Sequence, residues 1–406
     1  MQDRQAMDNR ARNQAFATVS AYTLTSALGA GNAATLEALR AHRGGLRQQA
    51  LRAGGSSWFG IVDDPDEPLG GRFARYDCKA FRIIRRAFAQ DSFLDKVADA
   101  RDRYGAHRIG CFVGTICAGL MHFEERYRQH APRAAEFGPD ERLNDVINLA
   151  SAATYCAEEL GIAGPVASIS TACSSSARVF PIAYRYMKAG LCDAAVVGGI
   201  DLANETFVYG FRSLGLLSAE PCRPWDRRRN GLNLGEAAGF ALIERPAEGR
   251  DGIALLGFGE SADAHHMTAP HPEGLGAELA MRGALRTAGL RPEAIDYINL
   301  HGSGTPANDA SEDAAVLRVF GAATPCSGTK GWTGHTQGAS GITEAILSML
   351  SIKHGLIPGT LNTTEPDPAL KSQLVQQNRS QPLKRVLSNS FGFGGNNCAL
   401  IFGAMQ

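Results

Sequence analysis

The sequence predicts an α/β fold with largely covered sheets, and three observations lead there. Short apolar runs without alternation, such as Ala194–Ile200 and Gly239–Glu244, read as strands buried on both faces. Stretches with apolar residues three and four apart, such as Ser174–Ala189, lie between such runs and read as helices. The two kinds alternate along the chain, which favours strands joined by covering helices over a segregated bundle or sandwich.

Residues 1–14 are polar and read as an arm ahead of the fold. Asn32–Arg43 is predicted helical, with Asn32 as its cap, Leu36 and Leu39 one turn apart, and Gly44–Gly45 as its stop. Arg72–Ala87 reads as a basic helical stretch. Glu141–Leu160 reads as one mostly buried helix capped by Asp140, with Val146, Ile147, Leu149, Ala150 and Ala153 on its apolar side. Pro165–Ser170 is strand-like, Ser174–Ala189 is helical through Val179, Phe180, Ile182, Ala183 and Met187, and Asp193–Ile200 is a buried strand. After the strand Gly239–Glu244, the polar segment Arg245–Asp251 marks the expected boundary between halves 15–250 and 251–406. The second half alternates again: strand Ile253–Gly257, helix Gly276–Ala288, strand Tyr297–Leu300, helix Gly341–His354, and a glycine-broken strand pair in Ser388–Phe402.

Composition narrows the function. With 41 basic and 41 acidic residues among 406, the chain has no overall charge to draw it to nucleic acid or an anionic membrane. The longest uncharged run, Leu160–Ala177, carries Ser168, Ser170, Thr171, Ser174, Ser175 and Ser176, too many hydroxyls for a membrane span. Met1–Arg12 lacks the apolar stretch of a signal peptide. Nine scattered cysteines without framework spacing suit a reducing cytoplasm. No CxxC or HExxH occurs, so no metal is expected.

Four segments carry chemistry. In Ser168-Ile-Ser-Thr-Ala-Cys173-Ser-Ser-Ser, the thiol falls at a strand-to-helix junction, where the helix dipole and backbone N–H groups bias it towards thiolate. A small core cysteine has the same local sequence, and the segment alone leaves both readings open. Asn299-Leu-His301-Gly-Ser-Gly-Thr305 puts a histidine at the carboxyl end of a strand, where α/β ligand sites gather, with Ser303 and Thr305 beside it. Lys330-Gly-Trp-Thr-Gly-His335 brings two basic groups around a turn, with Glu344 downstream. Phe391-Gly-Phe393-Gly394-Gly-Asn396 is a glycine loop with two aromatic plugs.

Together these segments resemble the β-ketoacyl-acyl carrier protein synthases of the condensing-enzyme, or thiolase-fold, family, in the elongating class with a Cys-His-His triad. The likeness runs from about Ala15 to the C-terminus and includes Gly198-Gly-Ile-Asp201, Arg223-Pro-Trp-Asp226, Gly235-Glu236, Asp263-Ala-His-His266 and Ile357-Pro358 with Asn362. It implies two similar α/β halves in a layered αβαβα sandwich. It further implies condensation of an acyl group held on Cys173 with malonyl-carrier protein, His301 and His335 donating to the enolate. Lys330, paired with Glu344, is expected to keep His335 neutral and oriented. Phe393 and Gly394, with Phe391, would supply an oxyanion donor and gate; Asp263 and His266 would form a second gating loop; and Asn396 would support them. Ser303 and Thr305 would bind the pantetheine arm, which arrives on the carrier protein, so no cofactor is expected on the enzyme. The resemblance implies a dimer, either of two copies or with a chain-length-factor-like subunit.

Several positions depart from the family pattern. The first strand lacks a glycine near Ser20, Ser303-Gly304 stands where fatty-acid relatives show Thr-Ser, and Gly331-Trp332 stands where a small residue and Met are usual. With Asp77-Cys78-Lys79, Trp332 looks more like the ketosynthases of polyene or polyketide pathways.

Arg72–Arg86 holds six basic residues against the single acid Asp77. On a helix, Lys79, Arg82 and Arg86 share one face, with Phe81, Ile84 and Phe88 on another. Since carrier proteins are usually acidic, this stripe is expected to dock the acyl carrier protein.

Overall fold

A computed structural model describes residues 15–52, 54–130, 141–246 and 252–405. The expected arm, the cap Asp140 and most of the expected boundary segment lie outside these residues. In the first part of the chain the strands that matter are β1 (Ala17–Ser26), β2 (Leu46–Ala50), β3 (Ser56–Gly60), β4 (Ile109–Gly114), β5 (Val166–Ile169), β6 (Ala194–Asp201), β7 (Leu234–Gly235) and β8 (Ala237–Glu244). Then follow β9 (Gly252–Ala262), β10 (Tyr297–Leu300), β11 (Pro325–Gly328), β12 (Gln373–Leu374), β13 (Arg385–Gly392) and β14 (Asn396–Met405).

The main sheet runs β12-β11-β10-β13-β14-β9-β1-β8-β6-β4-β5. It contains the same five-strand pattern twice. In β5-β4-β6-β8-β1 and again in β11-β10-β13-β14-β9, counting strands in chain order within each block gives 3-2-4-5-1. In both blocks the first three strands are parallel and the last two joins antiparallel. The blocks meet at β1 and β9 through the pairs Ala17–Leu255, Thr18–Ala254 and Val19–Ile253. This thiolase-like arrangement is the layered α/β fold that the sequence leads one to expect.

Two helices fill the space between the blocks. One, Ser175–Lys188, packs on β4 and β6; the other, Ser340–His354, packs on β13 and β14, and the two touch each other. Ser340–Ile352 is buried throughout, which an internal layer requires. The outer faces are covered by Lys79–Phe88 and Ala150–Leu160 on one block and by Leu275–Ala288 on the other.

Three expectations need correction. Asn32 is not the cap of the helix Gly31–Arg40: its own N–H donates to Asp91, 3.0 Å away, and its side-chain amide donates to the Tyr22 carbonyl. The stretch 141–160 is two helices, Glu141–Ile147 and Ala150–Leu160, because Asn148 Oδ1 accepts the Ala150 N–H at 2.9 Å and restarts the chain. Ile147, Leu149 and Ala150 are therefore exposed, while Val146 and Ala153 are buried as expected. The basic stretch is a 3₁₀ turn, Gly71–Tyr76, followed by the helix Lys79–Phe88, which does bury Phe81, Ile84 and Phe88.

Candidate active site

Cys173, His301 and His335 meet where the two blocks join. Cys173 follows β5, His301 follows β10 and Lys330 follows β11, all at carboxyl ends of parallel strands, where an α/β sheet opens to ligands. His335 is held from another direction: its N–H donates to the Asn233 carbonyl at 2.7 Å and its carbonyl accepts the Gly235 N–H at 2.9 Å, tying it to β7. One donor atom from each of the cysteine and two histidines lies within 4.8 Å of the others. All three line a cavity of about 240 Å³ with Ser303, Thr305, Phe391, Phe393, Gly394 and Asp263.

The approach to Cys173 is a sharp turn. Ala172 has φ 53°, the left-handed region that a side chain disfavours, and the turn is braced by Ser174 and Ser175. Ser175 Oγ accepts the Thr171 N–H at 2.8 Å and donates to the Ala172 carbonyl at 2.6 Å. A Cβ at Gly392 would come within 2.9 Å of the Thr171 carbonyl and 3.1 Å of the Cys173 nitrogen, so only glycine lets the Phe393 turn lie against Cys173. The expected bias towards thiolate is corrected: burial pushes the thiol up to about 11, against the opposing pull of Lys330 and of the Phe393 and Cys173 N–H groups. Desolvation outweighs the helix terminus.

Lys330 meets a different partner from the one expected. Its Nζ lies 3.2 Å from His301 Nδ1 and contacts the His301 carbonyl and Glu344 Oε1; the hydrogen-bonded ring is thus His301, not His335. An ammonium has donors only, so Nδ1 must accept and the ring hydrogen sits on Nε2. His335 reaches the same tautomer by another route, its Nδ1 accepting the Gln337 N–H at 3.1 Å. Gln337 achieves this at φ 55°, its side-chain amide donating to the Leu202 carbonyl at 2.9 Å. Burial, reinforced by the Lys330 charge, holds both imidazoles far below the ordinary histidine range, so both are neutral Nε2–H donors.

The expected Lys330–Glu344 pair is present and almost fully buried. Ser303 Oγ and Thr305 Oγ1 are 2.8 Å apart on the cavity wall, and Thr305 also caps the following helix, Pro306–Phe320. Asp263 accepts from Asn397 at 2.8 Å and from the His271 N–H at 3.2 Å, and its own N–H donates to Gly395 at 2.9 Å. His266 does not line the cavity; its Nδ1 accepts the Thr268 N–H, and Thr268 does line it. Phe391 stacks obliquely near His301, with ring centres 5.9 Å apart, and Phe393 lies 5.6 Å from Phe211. Asn396 bonds Arg178 and the Phe393 carbonyl.

The basic stripe is not a free positive face. Lys79 is largely buried and pairs with the wholly buried Glu236 at 2.7 Å. Arg82 grips Asp77 with two bonds of 2.7 and 2.9 Å, and Arg86 donates to the Asp63 carbonyl. None of the three lines the Cys173 cavity. Lys79 joins segments 157 residues apart, Arg82 pairs locally with Asp77, and Arg86 stays at the surface.

Two acids went unread in the sequence. Glu312 accepts the N–H groups of His301 and Gly302, each at 2.8 Å, and Asp309 accepts that of Gly304 at 3.1 Å. Together they fold the histidine turn onto its helix; burial pushes Glu312 up to about 7 and Asp309 to about 6. Their signal was two acids three residues apart on the first turns of the helix that follows the glycine-rich turn.

Residues 83–248 match the family described as "Beta-ketoacyl synthase, N-terminal domain", and residues 254–364 match "Beta-ketoacyl synthase, C-terminal domain". The mitochondrial 3-oxoacyl-[acyl-carrier-protein] synthase of Arabidopsis thaliana is 35% identical over 352 residues, 81% of this chain and 73% of that protein. The 3-oxoacyl-[acyl-carrier-protein] synthase 2 of Staphylococcus aureus is 34% identical over 85% of this chain and 87% of its own length. Among solved structures, a chain of the Xenorhabdus doucetiae ketosynthase ApeO in complex with its chain length factor ApeC has a TM-score of 0.88 at 37% identity, over 97% of this chain and 98% of that one. The ishigamide ketosynthase/chain length factor has a TM-score of 0.88 at 28% identity, over 97% of this chain and 100% of the other. The fold, the meeting of Cys173 with two neutral histidines and these likenesses agree: the chain belongs to the β-ketoacyl synthase family.

Proposed function

We propose that this chain is a 3-oxoacyl-[acyl-carrier-protein] synthase that extends an acyl chain by two carbons in fatty-acid, polyene or polyketide biosynthesis. The observation that carries the reading is the matched pair of imidazoles. Each has its Nδ1 filled by an N–H donor, leaving Nε2–H to serve a developing negative charge.

Cys173 Sγ attacks the carbonyl carbon of an acyl thioester, the carbon–sulfur bond to the carrier breaks, and the thiol proton leaves with the carrier sulfur. The N–H groups of Cys173 and Phe393 suit the oxyanion of that step. Malonyl thioester then loses carbon dioxide, and the electrons of the broken carbon–carbon bond move onto its thioester oxygen, facing the Nε2–H groups of His301 and His335. The enolate carbon attacks acyl-Cys173, the carbon–sulfur bond to Cys173 breaks, the Cys173 thiolate takes a proton from water, and the β-ketoacyl product leaves on its carrier. Neutral imidazoles serve here where a carboxylate would repel the enolate. Ser303 and Thr305 hold the pantetheine arm, so the phosphopantetheine of the carrier is the prosthetic group involved. The Phe393 turn and the Asp263 loop gate the pocket.

The partners follow from the reaction and the sheet. Acyl and malonyl carrier proteins deliver both substrates. Among the described residues, β5 is the sheet's last strand, paired on one side only, with Val166 41% exposed. An unpaired strand edge of this kind invites a second strand, supplied by another copy or by a chain-length-factor-like subunit such as those named with the ApeO and ishigamide ketosynthases. No helix among the described residues is long and apolar enough to cross a membrane. Nine unpaired cysteines suit a reducing cytoplasm.

The test is mass spectrometry after incubation with acyl and malonyl carrier proteins. The parent should show an acyl adduct on Cys173 and a product longer by two carbons; Cys173→Ala should show neither, and Cys173→Gln should still decarboxylate malonyl thioester. An acyl adduct on Cys173→Ala would remove the assignment.

A further inference from the structure

Arg178 lies five residues after Cys173, on the helix Ser175–Lys188 that follows it, and its side chain reaches two adjacent strands next to their shared end. Its Nε donates to Glu260 Oε1 at 2.9 Å, and its Nη1 donates to Asn396 Oδ1 at 3.2 Å. Asn396 passes the contact on, its Nδ2 donating to the Phe393 carbonyl at 3.4 Å. Glu260 stands three residues before Asp263, whose N–H donates to the Gly395 carbonyl. Both arms of the guanidinium therefore end on the same short turn, Phe393–Gly395. A planar, fixed fork of donors is suited to holding two acceptors at a set angle, which a lysine could not do.

Apart from the Phe393 ring, which packs against Phe211, that turn is held through its backbone. Gly394 and Gly395 are left-handed, with φ 76° and 71°, and carry no side chain that could pack. Its backbone is bonded at its edges: by Asn396, Asn397 and Asp263 on one side, and by the Gly394 N–H to the Met267 carbonyl at 2.8 Å on the other. Arg178 is only 24% exposed and Glu260 14%, so the pair is shielded enough to bind firmly, while Arg185 also contacts Glu260 from the solvent side. We infer that Arg178 is a positioning residue that clamps the Phe393 turn and the Asp263 segment to the helix that follows Cys173, coupling the nucleophile to its gate. The inference rests on the reading of Phe393 as gate and oxyanion donor.

The clamp has two consequences of opposite sign. Releasing it lets the turn move away, so small reagents reach Cys173 more often. It also takes the Phe393 N–H out of line, so acyl transfer slows. A loss of general stability could give both effects, but it would also lower the melting temperature, which the clamp's release leaves near the parent value.

The experiment compares Arg178→Ala, Asn396→Ala, their double variant and Phe393→Ala with the parent. It reads iodoacetamide alkylation of Cys173, kcat and KM for condensation, and the melting temperature. Alkylation three- to tenfold faster with kcat about tenfold lower is expected in both single variants, at a nearly parental KM for malonyl-carrier protein. The double variant should be no more affected than the stronger single, since both break one chain of contacts. Parental alkylation and kcat in a folded Arg178→Ala protein would overturn the clamp. Should Arg178→Ala not fold, Asn396→Ala decides alone, because it leaves the Arg178–Glu260 pair intact. Unchanged alkylation in Phe393→Ala would instead remove the gating reading itself; a changed Phe393→Ala beside unchanged Arg178 and Asn396 variants removes only the clamp.

Discussion

Lys330 Nζ lies 3.2 Å from His301 Nδ1, and this contact decides which nitrogen of His301 carries its proton. The ammonium also faces Glu344 in a site where both side chains are 2% exposed or less. The pair therefore has a structural and a chemical role that can be separated.

Lys330→Ala alone leaves Glu344 buried without its cation, which typically costs about 3–5 kcal/mol, so loss of activity would be uninformative. Lys330→Met combined with Glu344→Gln removes both charges at similar volume. The double variant should melt near the parent, yet decarboxylate malonyl pantetheine about 10–100-fold more slowly, the usual scale for losing a group that orients a histidine. Carbon dioxide release at the parent rate from the folded double variant would exclude this role for Lys330.

The histidines make a prediction about pH. Burial and the Lys330 charge hold both far below the ordinary range near 6.5, so they stay neutral donors as the solution becomes mildly acidic. The ring nitrogen chemical shifts of His301 and His335 in the Cys173→Gln variant, which has no thiol to titrate, should show no protonation from pH 8 to pH 6. A midpoint at about 6.5, as for a solvated imidazole, would contradict the buried, neutral pair. In the parent, the thiol pushed up to about 11 predicts that alkylation of Cys173 rises about tenfold per pH unit between roughly 7 and 10. His301→Ala or His335→Ala should still accept an acyl group but lose about 10²–10³ in decarboxylation, the usual scale for one preorganised donor.

Glu312 predicts how stability responds to pH. Burial raises it from 4.5 to about 7 in the folded protein, although three N–H donors pull the other way. A raised folded value means that its stabilising contribution is fully present below the unfolded value and lost as the pH rises through about 7. Glu312→Gln cannot titrate and gives up one acceptor, so it should be the less stable protein in acid. Between about pH 5.5 and pH 8.5 its deficit should shrink by about 2 kcal/mol, at 1.36 kcal/mol for each pKa unit. Urea unfolding of both proteins at the two pH values measures it; a deficit that is constant or grows with pH would mean that Glu312 is not held protonated by its burial.

The positions of Cys173 and His301 were legible because each follows a short strand-like run at a glycine- or serine-rich turn, and such runs mark strand ends whatever surrounds them. Tyr297–Leu300 is found at the very residues read as a strand. The partner of Lys330 was not legible. Five residues along the chain place His335 near it, but β10 and β11 are adjacent parallel strands, and that adjacency sets Lys330 beside His301 while the backbone of Asn233 and Gly235 turns His335 towards β7. The break at Asn148 was hidden for a similar reason: apolar spacing continues through it, and only the bond to Ala150 interrupts the helix. The repeated 3-2-4-5-1 strand order lies in pairing, which residues of quite different identity satisfy in each block.

Lys79 tests the limits of reading charge from sequence. As part of a positive stripe it would steer an acidic carrier, and its reversal would raise KM for carrier-bound substrates alone. In the fold it sits 157 residues from its partner Glu236, whose side chain is fully buried. Glu236 also accepts the Val62 N–H at 2.9 Å, its own N–H donates to Gly60, and the preceding residue, Gly235, bonds the His335 carbonyl. Removing the lysine strands a buried acid next to the strand that holds His335. Lys79→Ala should therefore lower stability by about 3–5 kcal/mol, as breaking buried pairs does, and reduce kcat by a similar factor for carrier-bound and free pantetheine substrates. Lys79→Met with Glu236→Gln should recover most of the stability, because no charge is then left unpaired. The ratio of kcat/KM for the two substrate forms discriminates: unchanged in both variants if the pair is internal, and depressed for carrier substrates alone if Lys79 meets the carrier after all.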